Sequence, residues 1–281
     1  MLSSVPIQPW VAFLSNDILF DVNDGIAVIT FNRPDALNTF TAGMMEALGE
    51  AYRNCDEDDQ VKVVVVTGLG AAFCAGAEMR ADGDTFKTAG EMDFSSCPLS
   101  FQGWDVRKPI IAALNGHAVG VGLGIALQAD IRIVAEEGKY GFLQNRRGVV
   151  ADFAVEYILP RMIGMERAFE MVVRGNRLSG AQACDWGLAG RCLPAEQVLP
   201  AAMEIARDMA DNCSPLVMGI HKRLLMQGQD MPLADFIGLE TRMLHHTLEL
   251  PDAMEGGLAF IERRQPQWQS RVTRDWPGEL G

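Results

Sequence analysis

The chain reads as an α/β protein in which β-α units come first and a helical region comes last. Three observations predict this. Val61–Thr67 is dominated by β-branched residues, as expected of a strand buried on both faces. Ile110–Leu114 is an apolar run that ends at Asn115-Gly116, and a glycine-rich turn then leads into an apolar helix over about 121–129. Beyond residue 164, successive amphipathic segments at 165–174, 179–186, 195–211, 214–227, 232–249 and 251–262 read as helices.

The remaining elements fall in order. Residues 1–17 form an extension. Strands follow at Ile18–Val22 and Ile26–Phe31, joined by Asn23-Asp24-Gly25, a turn sequence. A helix over Thr41–Cys55 carries Met44, Met45, Leu48 and Tyr52 at helical spacing. Gly68–Gly70 turns the Val61 strand into Ala71–Ala77. The polar, glycine-containing stretch 78–100 is expected as a mobile loop beside a site. A short helix over Phe101–Val106, a strand over Ile131–Ala135 and a helix over Asp152–Ile163 complete the β-α part. The chain thus divides into the extension at 1–17, a core at 18–205 and a C-terminal helical region at 206–281.

Length and composition bound the function. With 281 residues, 48% of them hydrophobic, the chain can bury one large core and a smaller appended element. No apolar run reaches the roughly 18–20 residues of a membrane span. The net charge of -13 disfavours nucleic acid and anionic membranes as partners. The six cysteines show no metal-ligand spacing, so they read as reduced thiols of a cytoplasmic protein without a metal site.

Two segments rich in small residues carry the chemistry: Phe73-Cys74-Ala75-Gly76-Ala77-Glu78 and Gly116-His117-Ala118-Val119-Gly120-Val121-Gly122. Small residues let the backbone approach a ligand closely. Two N–H groups from different strand-to-helix turns can then converge on one carbonyl oxygen and stabilise the charge it gains. The second turn also opens a helix, whose N-terminus favours negative charge.

These segments resemble the crotonase (enoyl-CoA hydratase/isomerase) superfamily. The likeness rests on NRPDALN at 32–38, FCAGAE at 73–78 and KPIIAALNGHAVGVG at 108–122, and it extends over about residues 18–268. It implies a spiral of ββα units with a C-terminal helical trimerisation region. It further implies a CoA thioester as substrate, no prosthetic group, and a homotrimer or hexamer. By position it makes the N–H groups of Ala77 and Val121 the oxyanion donors, Val121 standing where the family usually has glycine. It places the CoA adenine near Ala75 and Gly76, with Arg33 and Arg80 as local phosphate candidates. Glu78 is expected to hold the first turn.

The resemblance leaves the reaction open. The two glutamates of the family's hydratases align with Gly124 and Gln144, and neither residue can serve as general acid or base. Asp152 remains, at a position where certain family isomerases and a dehalogenase carry an acid. One carboxylate suffices to move a proton from C2 to C4, so an isomerase that shifts a C=C bond is expected. A hydrolase or dehalogenase using Asp152 and a non-catalytic acyl-CoA binder are the alternatives. Asp152 also suits a plain helix N-cap. Gln144, Glu156 (four residues on, so on the same helix face) and His117 are candidate assisting residues.

Overall fold

The computed structural model describes residues 16–79 and 95–281. Most of the expected extension, and the centre of the expected loop, lie outside the described residues. The first half of the chain runs β1 (Ile18–Asn23), β2 (Ile26–Phe31), α1 (Ala42–Glu57), β3 (Val63–Gly68), β4 (Ala72–Cys74), β5 (Ile110–Leu114), β6 (His117–Val119), α2 (Val121–Leu127), β7 (Ile131–Ala135) and β8 (Lys139–Gly141). It continues with α3 (Val155–Ile163), α4 (Met165–Phe169), β9 (Arg177–Ser179), α5 (Gly180–Asp185), β10 (Arg191–Leu193), α6 (Ala195–Asn212) and α7 (Pro215–Gln227). The last elements are α8 (Leu233–Leu248), α9 (Pro251–Glu262) and α10 (Val272–Asp275).

Among the described residues the strands form two sheets. The large one has the order β1-β2-β3-β5-β7-β10. Its β1–β2 pair is antiparallel, and the others are parallel. The β-branched run of β3 explains its central place. Val64 and Val66 join the main core, while Val63 and Val65 face the opposite side, against α6. There α6 presents Ala202, Ala206 and Ala210 at four-residue spacing, so the helix lies close on the sheet. Thr41 caps α1 by accepting from the Met44 N–H at 3.2 Å.

The small sheet, β4-β6-β8-β9, is the part the sequence reading missed. Its strands have three residues each, too short for a period of two to show. β4, β6 and β8 run parallel, so their carboxyl ends share one edge.

The segment 165–174 is helical throughout, as expected, α4 passing into a π-helix over Glu170–Arg174. Three local expectations are corrected. Residues 101–106 form a turn closed by the Asp105 carboxylate on the Gln102 N–H, not a helix. The helix expected from Asp152 begins at Val155. The boundary expected at 205 falls inside α6, which is continuous and covers the large sheet.

The helical region is tied back to the core by buried charge. Lys222 of α7 pairs with Asp130 at 3.0 Å and donates to the Lys108 carbonyl at 3.1 Å. Arg107 makes a two-pronged contact with Asp56 and also donates to the Val272 carbonyl at 3.3 Å, which fixes the C-terminal tail.

Candidate active site

Three turns follow β4, β6 and β8 and meet at the shared sheet edge. The first is held from below by two asparagines. Asn38, fully buried, accepts from the Arg33 N–H and donates to the carbonyls of Leu69 and Ala72 at 3.0 and 2.7 Å. Asn115 accepts from the Gly68 N–H at 3.1 Å and donates to the Gly70 carbonyl at 2.8 Å. Both therefore fix the chain entering β4. The second turn packs on the first through Gly122: a Cβ there would stand 2.3 Å from the Cys74 carbonyl oxygen. Gly120 has φ +57°, which a side chain rarely tolerates, and its N–H donates to the Gly141 carbonyl at 2.9 Å.

This packing leaves two donors without acceptors. The N–H groups of Ala77 and Val121 make no hydrogen bond among the described residues. Val121 opens α2, and no side chain caps that helix. Unpaired N–H groups on adjacent turns are what a developing oxyanion requires.

Asp152 reaches the same edge by an unusual backbone path. Phe153 and Ala154 take φ of +57° and +53°, two left-handed residues in succession. Ala154 is the N-cap of α3, and no side chain caps the helix. Asp152 is thus not a cap. Its Oδ1 accepts from the Gln144 amide Nε2 at 3.3 Å. Burial pushes the Asp152 carboxyl above the usual carboxylate range and Glu156 adds to this, while hydrogen bonds to its own backbone and to Gln144 pull it down. Beside it, Cys74 is a buried thiol pushed up to about 12, chiefly by burial, and so stays neutral.

Phe153 crowds the α2 position at which the carboxylate is missing. A Cβ at Gly124 would lie 3.2 Å from both Cβ and Cδ2 of Phe153. The fully buried Phe153 side chain therefore packs over the face from which a side chain at position 124 would project. Sequence reasoning missed Phe153, because nothing local announces two left-handed residues before a helix.

The other expected residues divide. Gln144 comes to the site. Glu156 lies in the first turn of α3, is exposed, and accepts from the Ala151 N–H at 3.3 Å. It acts on Asp152 through charge and not through a shared helix face, because Asp152 precedes the helix. His117 sits at the start of β6, at the other end of the strand from the Gly120-Val121 turn. Its Nδ1 accepts from the Lys139 N–H at 3.1 Å, so the structure does not bring it to the site. Ala75 donates its N–H to the Leu37 carbonyl at 3.0 Å, and the Gly76 carbonyl accepts from Phe40 at 2.8 Å, so both build the first turn. Arg33 pairs with Glu78 at 2.6 Å, which holds that turn as expected of Glu78. Arg80 lies outside the described residues. Among the described residues no group of three or more His, Cys, Asp or Glu gathers to hold a metal. No helix among them is long and apolar enough to cross a membrane. Two cavities of about 520 and 400 Å³ lie in the C-terminal region, bordered by Trp268 and Ser270, and include no residue of the three turns.

The two-sheet α/β core, with the Ala77 and Val121 amides unpaired among the described residues, is the arrangement of the crotonase fold. The family model for enoyl-CoA hydratase/isomerase matches residues 21–271, and the chain belongs to that family, whose members act on CoA thioesters without a prosthetic group. It is 36% identical over 251 residues to the enoyl-CoA hydratase ACTT3 of Alternaria alternata, covering 89% of this chain and 84% of that protein. It is 32% identical over 267 residues to a carnitinyl-CoA dehydratase of Salmonella agona, covering 92% of this chain and 100% of that one. The crystal structure of a probable enoyl-CoA hydratase/isomerase from Mycobacterium abscessus superposes with a TM-score of 0.87 at 41% identity. That match covers 90% of this chain and 99% of the other.

Proposed function

We propose that the protein is an acyl-CoA isomerase that shifts a C=C bond, with Asp152 as its single acid/base. The observation that carries this reading is the pairing at the site. Among the described residues the partly buried Asp152 carboxylate stands against the neutral Gln144 amide, and Phe153 packs against Gly124. Asp152 removes a proton from C2 of a 3-enoyl thioester. The C–H electron pair moves into a dienolate whose oxygen the Ala77 and Val121 N–H groups receive, and the same carboxyl returns the proton to C4. Burial suits Asp152 to the task, since a carboxyl raised above its ordinary range is a better base.

The test is proton exchange. The purified protein is incubated with 3-enoyl-CoA in D2O, and deuterium at C2 and C4 is followed by NMR, alongside Asp152→Asn. Exchange that vanishes in the variant supports the reading. CoA-thioester binding without exchange counts against it and favours a hydrolase with another acyl group, or a binder.

The names of the relatives favour a second reading, addition or elimination of water. It requires a further acid or base that positions 124 and 144 do not supply. Incubation with 2-enoyl-CoA and detection of the 3-hydroxyacyl product would establish it.

We further propose a trimer or a hexamer built through the C-terminal helices. The apolar side chains of Leu233, Leu248, Met254, Phe260 and Ile261 on α8 and α9 are exposed in the single chain, which supports this assembly. A cytoplasmic setting fits the six unpaired thiols.

A further inference from the structure

We propose that Gln144 is a positioning residue for Asp152: its amide holds Oδ1 and leaves Oδ2 to take up and return the substrate proton. The proposal rests on the reading of Asp152 as the acid/base. It assigns a task to the residue that replaces a carboxylate.

Gln144 is itself held. It follows β8 and begins the turn Asn145–Arg147, and its carbonyl accepts from the Arg147 and Val149 N–H groups at 2.8 and 3.2 Å. Its side chain lies over Gly120, where an added Cβ would stand 3.5 Å from Nε2 and 3.7 Å from Oε1. Gln144 therefore sits between the turn that carries the Val121 donor and the carboxylate. Its Nε2 donates to Asp152 Oδ1 at 3.3 Å. Its Oε1 is buried and has no partner among the described residues.

That combination fits a group that must tolerate both charge states of its neighbour. An ionised carboxylate only accepts hydrogen bonds, so Nε2 must face it. Once Asp152 has taken the C2 proton it can also donate. Rotation of the amide then presents Oε1, the atom otherwise left unpaired. A glutamine serves both states, whereas a glutamate in its place would repel the ionised form. The charged or titratable groups that bear on Asp152 among the described residues are Glu156 on α3 and the Cys74 thiol at the end of β4. Glu156 is exposed and Cys74 is neutral, so the Gln144 amide is the direct side-chain hydrogen bond that favours the carboxylate.

The experiment is a 13C-carboxyl NMR titration of the substrate-free protein labelled at aspartate, with the Asp152 resonance assigned through Asp152→Asn. It compares wild type with Gln144→Met, which keeps the length and removes the hydrogen bond. The Asp152 midpoint is expected to move to higher pH in Gln144→Met, and kcat to fall about tenfold with KM little changed. Gln144→Leu removes the same hydrogen bond and is expected to move the midpoint in the same direction, which carries the test should the methionine variant not fold. An unchanged midpoint in a folded variant overturns the proposal. The titration uses no substrate, so it stays informative if the wild type shows no proton exchange. That outcome would defeat the isomerase reading while leaving the Gln144–Asp152 pair measured.

Discussion

The large sheet and the small sheet divide the work of this molecule. The large one is built from strands of five or six residues in all but β10, with β3 and β5 buried along their whole length. Side chains on both faces enter apolar cores. The small one has three-residue strands and little side-chain area of its own. It is held by close backbone approach at Gly122 and by the asparagine clamps on the turn before β4. The first arrangement gives stability that depends on volume. The second gives accuracy that depends on backbone position, and it leaves the Ala77 and Val121 amides unpaired among the described residues.

The comparison can be broken most sharply at the small sheet. Asp152→Asn should reduce isomerisation and C2 exchange by about 10²–10⁴-fold, the usual span for a general acid/base, while acyl-CoA affinity measured by calorimetry is retained. On the large sheet the outcome reverses. Ile111→Ala should lower stability by about 2–5 kcal/mol in urea unfolding and leave kcat unchanged at a temperature where the protein stays folded. Gly122→Ala falls between these. Its Cβ has only 2.3 Å to the Cys74 carbonyl oxygen. Overpacking there should cost about 1–3 kcal/mol and also lower kcat, because the turn carrying the Val121 amide must shift.

The smallest effect sharpens the contrast by sign. Asp152 has a raised pKa in the folded protein, so folding favours its protonated form. Its contribution to stability is full below the unfolded pKa and is lost as pH rises through the folded one. Asp152→Asn should therefore raise the thermal midpoint at neutral pH, and the gain should shrink as the buffer is made acidic. A midpoint that falls at neutral pH would show that the carboxylate is stabilising where it stands, contrary to the burial argument. The Gln144 titration sharpens the same comparison from the other side of the pair.

Legibility in the sequence followed the same division. The Val61–Thr67 run, the Ile110–Leu114 strand and the helices beyond 195 were readable because length and periodicity identify them. The family motifs and the carboxylate after them single out the two turns and Asp152 as candidates, and the structure sets the Gln144 amide on Asp152. His117 lies inside a motif but at the far end of a three-residue strand, which resembles a turn when glycines surround it. By sequence alone Asp152 suits a helix cap, since nothing in Ala151-Asp152-Phe153-Ala154 announces that the next two residues adopt left-handed backbone.

The sequence by itself determined the fold class, the family, and the absence of both hydratase glutamates. These depend on residue identity and on order along the chain. Only the tertiary structure decided that Phe153 packs against Gly124, that Gln144 pairs with Asp152, and that Arg33 is engaged by Glu78. Each of these joins residues on different elements. Their meeting is set by how β4, β6, β8 and α3 pack together, which local propensity does not encode.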